Sequence, residues 1–257
     1  MQPEYYVFQP ATILKPYISL YWLAKNTKHT SYPILPDGSI DVVIKINSTD
    51  LDSQLFGTTT RPTLIAIEPN NTYLGIRFNP GQSRHFINLA ASELTNLSTS
   101  SSGLLTVQLD RLNELTSPAD IATYLDQCLC HTLNKHTPAT NRIDHVLQQI
   151  LLSHGQLTIN EAANNLCKSR RQFERIFRET VGLTPKTYSA ICRLQHATQL
   201  IHHHPQIALA EIAHIAGYAD QSHMNRNCKR LTGVTPTRID HNHVAFIQYT
   251  SGATHHT

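Results

Sequence analysis

The second half of the chain repeats itself, and the repeat limits it to two copies of one helical motif. Phe173, Phe177, Gly182, Thr184 and Pro185 recur 51 residues later as Met224, Cys228, Gly233, Thr235 and Pro236. Upstream, Ala163 and Leu166 recur 50 residues later as Ala213 and Ala216, so the second copy carries one extra residue between its helices. Each copy reads as helix, tight turn, helix. In the first, Thr158 to Leu166 leads, Ser169 caps the second helix, and Gln172 stands three residues on as in a capping box. Phe173, Ile176, Phe177 and Val181 form one apolar stripe, and Gly182 supplies the left-handed residue that ends such a helix. In the second, Ala210 to Ala216 leads, Gly217 permits the turn and Asp220 caps. Met224, Cys228 and Leu231 face inward, and Gly233 ends the helix.

The faces left outward carry the chemistry. In the first copy they hold Arg170, Arg171, Glu174, Arg175 and Arg178; in the second, Gln221, Ser222, Asn225, Arg226, Lys229 and Arg230. Arginine holds guanine O6 and N7 bidentately, Asn and Gln hold adenine, and Lys and Arg neutralise phosphates. A single basic surface helix would be unremarked solvated surface. Two capped, basic copies with the same Gly-x-Thr-Pro ending instead point to a pair of major-groove readers. Charge agrees: residues 1–140 carry a net −2 and residues 141–257 a net +5, and twelve of the sixteen histidines lie in the second part. Histidine titrates near pH 6.5, so acidification is expected to raise this positive charge and strengthen anion binding.

The first half reads as strands and turns, then helix. Ile40–Ile46 is rich in β-branched residues and follows the turn Pro36-Asp37-Gly38; residues 72–78 alternate and end at Asn79-Pro80-Gly81. Ser83 to Leu89 reads as a short helix and Leu97 to Gly103 as a Ser/Thr-rich loop. Residues 117–134 form an amphipathic helix opened by Ser117-Pro118, with Ile121, Tyr124, Leu125, Cys128 and Leu129 on one face. That stripe suits either a second copy of the chain or the strands before it. Lys135 to Pro138 marks a boundary. Residues 141–240 read as almost entirely helical. The polar tail 241–257 holds one apolar patch, Val244 to Ile247, suited to a short strand.

Residues 141–240 resemble the AraC/XylS family of transcription regulators. The second copy carries most of the likeness: Ile212-Ala213, Ala216-Gly217-Tyr218, Asp220 to His223, Arg226, Lys229, Gly233, Thr235-Pro236 and Arg238. The resemblance implies helix-turn-helix units at about 158–182 and 209–233, joined by a linker helix at about 186–203 in which Tyr188, Arg193, Leu194, Ala197 and Leu200 match the family pattern. It also implies that Arg171, Glu174 and Arg175 face bases in one groove and Gln221, Ser222, Asn225 and Arg226 in the next, about one duplex turn away. Cys228 departs from the family, which usually has an aromatic there; the second unit's core is then expected to be less filled and the unit weaker or more mobile. The first 136 residues resemble AraC-type N-terminal domains through Tyr21-Trp22, Pro36-Asp37-Gly38 and Gly75 to Gly81.

The resulting expectation is an α+β chain. A cupin-like β-domain with flanking helices (1–136), for sensing or dimerisation, precedes an all-α DNA-binding domain of two helix-turn-helix units and a linker helix (137–240). Trp22, Asp37, Asp41, Arg77 and Phe78 are the candidate pocket residues for a small-molecule effector. Double-stranded DNA and RNA polymerase are the implied partners, with a homodimer through 117–134 open, and a bacterial activator in the cytoplasm is the implied setting. The competing reading is a partner-docking module without DNA readout.

Other classes fit poorly. Charged residues are 15% and hydrophobic ones 40%, which suits a packed chain rather than a disordered one. The sequence has no run of about 18 apolar residues, and the Met1 to Glu4 start lacks a basic region before an apolar stretch, so neither membrane span nor secretory signal is expected. Five cysteines without a framework suit a reducing compartment. Cys128, Cys130, His131 and His136 lack a second pair at zinc spacing, so no metal is expected. No nucleophile elbow, Walker loop or dinucleotide fingerprint appears, so neither enzyme nor cofactor is expected. Residues 1–127 hold no cysteine, which removes a methyl-transfer repair domain.

Overall fold

The computed structural model describes residues 4–25, 30–46, 51–101, 103–104, 107, 109–115, 117–135 and 141–239. The boundary 136–138 and the apolar patch 244–247 lie outside the described residues.

Eight strands come first: β1 (Glu4–Phe8), β2 (Ile18–Lys25), β3 (Thr30–Ile34), β4 (Ile40–Ile46), β5 (Leu51–Phe56), β6 (Thr63–Ile67), β7 (Thr72–Phe78) and β8 (Ser98–Ser100). They form an antiparallel sheet in the order β1-β2-β7-β4-β5-β8 and a smaller sheet of β3 and β6. Side chains alternate across a strand, so each strand of the large sheet serves two faces. Tyr21, Leu23, Val42, Ile44, Leu55, Leu74, Ile76 and Phe78 take one face and build the core of this half. Leu20, Trp22, Ala24 and Tyr73 take the other and form a separate cluster with Val43 and Ile67 at its edge.

Two helices follow, α1 (Leu109–Glu114) and α2 (Pro118–Lys135). Ile121, Tyr124, Leu125, Leu129 and Leu133 of α2 are buried in the core beneath the large sheet. The stripe that suited a second copy therefore covers the β-domain instead, and it is not a free dimerisation face. The Ser/Thr-rich segment read as a loop contains β8: its side chains are exposed, which gives a loop-like composition, while its backbone pairs Thr99 with Leu55. The helix read over Ser83 to Leu89 is a single 3-10 turn, Ser83–His85; another turn spans Ala91–Leu94.

The second half is helical as expected: α3 (Arg142–Leu152), α4 (Ile159–Asn165), α5 (Arg170–Val181), α6 (Pro185–His203), α7 (Leu209–Ile215) and α8 (Gln221–Thr232). Thr158 and Ser169 both close capping boxes, satisfying amides that a helix start leaves unpaired. Asp220 caps α8 by accepting from the His223 amide at 2.6 Å. Gly182 and Gly233 end α5 and α8 at nearly the same backbone angles, φ 82° and 81°. The turn inside each unit also needs a left-handed residue. Gly217 fills it in the second copy with φ 78°, whereas Cys167 adopts φ 55° in the first, a conformation that side chains disfavour.

The two halves are joined by specific contacts. Thr95 donates to the Gly182 carbonyl at 2.7 Å, and Gln82 and Arg84 both reach the Asp144 carboxylate, at 2.8 and 2.5 Å. Leu35 packs into the helical core, and Gly38 lies against the ring of Tyr188 on α6.

The cores of the two units differ in content. The first is built on Phe173, Phe177, Tyr188 and Leu147; the second on Ala197, Ile212, Ala213, Ala216, Tyr218 and Met224. Cys228 is fully buried, its Sγ 3.5 Å from Thr232 Oγ1, and with Leu231 it joins the first unit's cluster. Met224 and Cys228 stand where α5 has Phe173 and Phe177, so α8 contributes less apolar surface of its own, and hydrogen exchange should find α8 amides less protected than those of α5. Equal protection of the two helices would reject this.

Candidate nucleic-acid interface

The two helices read as recognition helices are α5 and α8, each twelve residues long and each capped at its first turn. Phe173, Phe177 and Val181 turn α5 inward, and Met224, Cys228 and Leu231 do the same for α8. Arg170, Arg171, Arg175 and Arg178 are left exposed, with Glu174 half-buried. On α8, Ser222, Arg226, Lys229 and Arg230 are exposed and Gln221 and Asn225 half-buried. All eleven residues read as a DNA face thus lie outside the cores. Their pairing differs between helices. Arg170 binds Glu174 and Arg175 binds Glu179, both at 2.9 Å one helical turn apart. Such exposed pairs are weak, so both arginines are readily given up to a phosphate or base.

Arg193 of α6 ties the two units together. Its guanidinium donates to the Gly155 carbonyl, just before α4, at 2.8 Å, and lies 5.9 Å from the centre of the Tyr218 ring in the second unit's turn. Gln156 adds a bond to the Ile215 carbonyl at 3.3 Å. These contacts join the segment before α4 to α6 and to the second unit's turn.

The candidate pocket residues separate. A cavity of about 480 Å³ lies between the two sheets, and Trp22, Asp37 and Asp41 line it with Val43, Lys45, Gln54 and Tyr73. Arg77 is buried behind the floor, bound to Asp37 and to both oxygens of Asp41 at 3.0 and 3.2 Å. Burial pushes the Asp41 carboxyl up to about 7 and draws the Arg77 guanidinium down to about 10. Phe78 is not brought to the cavity. It lies on the opposite face of β7, fully buried, 5.4 Å from Phe86 between ring centres. Lys45, Asp52, Glu68 and Tyr73 line the cavity without having been singled out in the sequence. Strand parity was the available signal, since Asp41, Val43 and Lys45 share one face of β4. Among the described residues, no three His, Cys, Asp or Glu side chains gather as a metal site, and no helix is long and apolar enough to cross a membrane.

A β-domain joined to two linked helix-turn-helix units is the architecture these observations define. The family model described as a helix-turn-helix domain matches residues 162–242, and one described as a domain of unknown function (DUF6597) matches residues 6–100. The C-terminal segment is by this match a helix-turn-helix domain. The probable transcriptional regulator LumQ of Photobacterium leiognathi is 31% identical over 96 residues, covering 37% of this chain and 38% of that protein. The HTH-type transcriptional activator RhaR of Salmonella dublin is 27% identical over 132 residues, covering 48% and 46%. The chain thus spans less than half the length of these relatives. The solved DNA-binding domain of AdpA in complex with a target DNA is 23% identical, covers 38% of this chain and 88% of that one, and has a TM-score of 0.35.

One histidine pair lies beside the linker. His154 and His196 stack with ring centres 3.8 Å apart, and burial together with His154 lowers the pKa of His196 from 6.5. Below that value the unfolded chain binds more protons at this site than the folded one, so its contribution to stability is lost as pH falls. Urea midpoints measured from neutral pH down to about pH 5 should fall, and should fall less steeply in His196→Gln.

Proposed function

We propose that this chain is a sequence-specific DNA-binding transcriptional regulator, which sets α5 and α8 in successive major grooves and is controlled through its β-domain. The observation that carries the reading is the pair of capped, basic helices of equal length, in two units that Arg193 of α6 bridges. In this reading Arg171, Arg175 and Arg226, with Gln221, Ser222 and Asn225, read bases, while Arg170, Arg178, Lys229 and Arg230 track phosphates. Glu174 positions Arg170 or accepts from cytosine. Two readers on one chain remove the need for a palindromic site. RNA polymerase is the partner through which such a regulator acts in the cytoplasm, and the cavity is the place for an effector.

Binding of the full chain across a genome should give discrete sites. Arg175→Ala and Arg226→Ala should each lose about 1–3 kcal/mol at those sites, and Lys229→Ala should weaken all sequences alike and reduce the salt slope by roughly 1. A chain that finds no discrete sites, with or without small-molecule extracts, would overturn the reading in favour of a partner-docking module.

A further inference from the structure

We infer that the β-domain cavity takes a small organic cation, a molecule with an apolar body and a protonated amine, rather than a carboxylate. The inference rests on the proposed role of the cavity as the effector site and adds the chemistry of its ligand.

Charge and aromatic content both point this way. Among the described lining residues, Asp37, Asp41, Asp52 and Glu68 are acidic and Lys45 alone is basic. Lys45 is itself paired with Glu68. The floor is formed by two carboxylates that share one guanidinium, because Asp37 and Asp41 both bind Arg77. With both ionised, this trio carries one net negative charge in a place with little water. Burial pushes Asp41 up to about 7, and a ligand ammonium beside it would favour its ionised form.

The walls suit the same group. Trp22 and Tyr73 are both more than nine-tenths buried and line the cavity with Tyr5 and Phe56. Aromatic faces attract cations, and indole does so best. Leu64, Ile65 and Ile67 of β6, with Val43 opposite, provide the apolar enclosure for the rest of the molecule.

The chain holds one tryptophan, and it is the one in this wall, so its fluorescence reports occupancy directly. The full chain is titrated at neutral pH with octylamine, octanol and octanoate, which share one apolar body and differ in charge. Octylamine should bind at least about tenfold more tightly than octanoate. Asp41→Asn should remove most of the preference for octylamine over octanol, and retained octanol binding in that variant shows that the cavity is still folded. If Asp41→Asn does not fold, Lys45→Gln serves in its place: loss of this lysine should leave octylamine at least as tightly bound. Octanoate binding as tightly as octylamine, or no fluorescence response to any of the three, would overturn the inference. DNA affinity is measured separately with and without octylamine. Binding of the amine with unchanged DNA affinity would keep the ligand class and remove the effector role.

Discussion

The β-domain is organised around one buried guanidinium. Arg77 lies under the large sheet's open face and holds two carboxylates at once, Asp37 from the turn before β4 and Asp41 from β4 itself. A buried charge left without partners is costly, and removing one partner of such a group is worse than never having built it. The geometry of the turn 36–38 is therefore set by electrostatics as much as by its Pro-Asp-Gly chemistry. That turn is also where the halves meet. Asp37 lines the cavity on one side and, on the other, a crevice bounded by Ile191 and Leu194 of α6 and Leu231 of α8. Whatever alters the charge balance at Arg77 bears on a segment that leans against both the linker and a recognition helix.

The DNA half was almost wholly readable from its residues because every signal there is local. A cap, an apolar stripe and a left-handed glycine fall within twelve or thirteen positions of one another, and the structure places α5, α6 and α8 within a residue or so of where those signals put them. Arg193 shows where local reading stops: its partners, Gly155 and Tyr218, stand on either side of it in the sequence and meet only once both units are packed.

The β-half was legible in kind but not in detail. Strands β4 and β7 announced themselves by β-branched content and alternation. Grouping Arg77 with Phe78 as pocket residues followed a motif and ignored parity, since neighbours on a strand must point to opposite faces. The same parity joins Trp22, Asp41, Lys45 and Tyr73, four residues from three strands, but it needs the strand order β2-β7-β4 before it can be used. Sheet order is a long-range property that no window of the sequence contains. The fate of the α2 stripe was undecided for the same reason: an apolar face says that something covers it, and only the fold says what.

Cys228 and Leu231 of α8 pack in the core of the first unit rather than with Met224 in the second. The reading heads are consequently not cassettes. Grafting α8 from a relative in order to retarget the chain would also insert a foreign surface beneath α6 and beside Ile239, within the cluster that supports α5. A swap designed on base contacts alone would disturb the head that was meant to stay unchanged. Even the whole helical half carries Leu35 of the β-half in its core, so specificity in this architecture is more safely altered one outward side chain at a time.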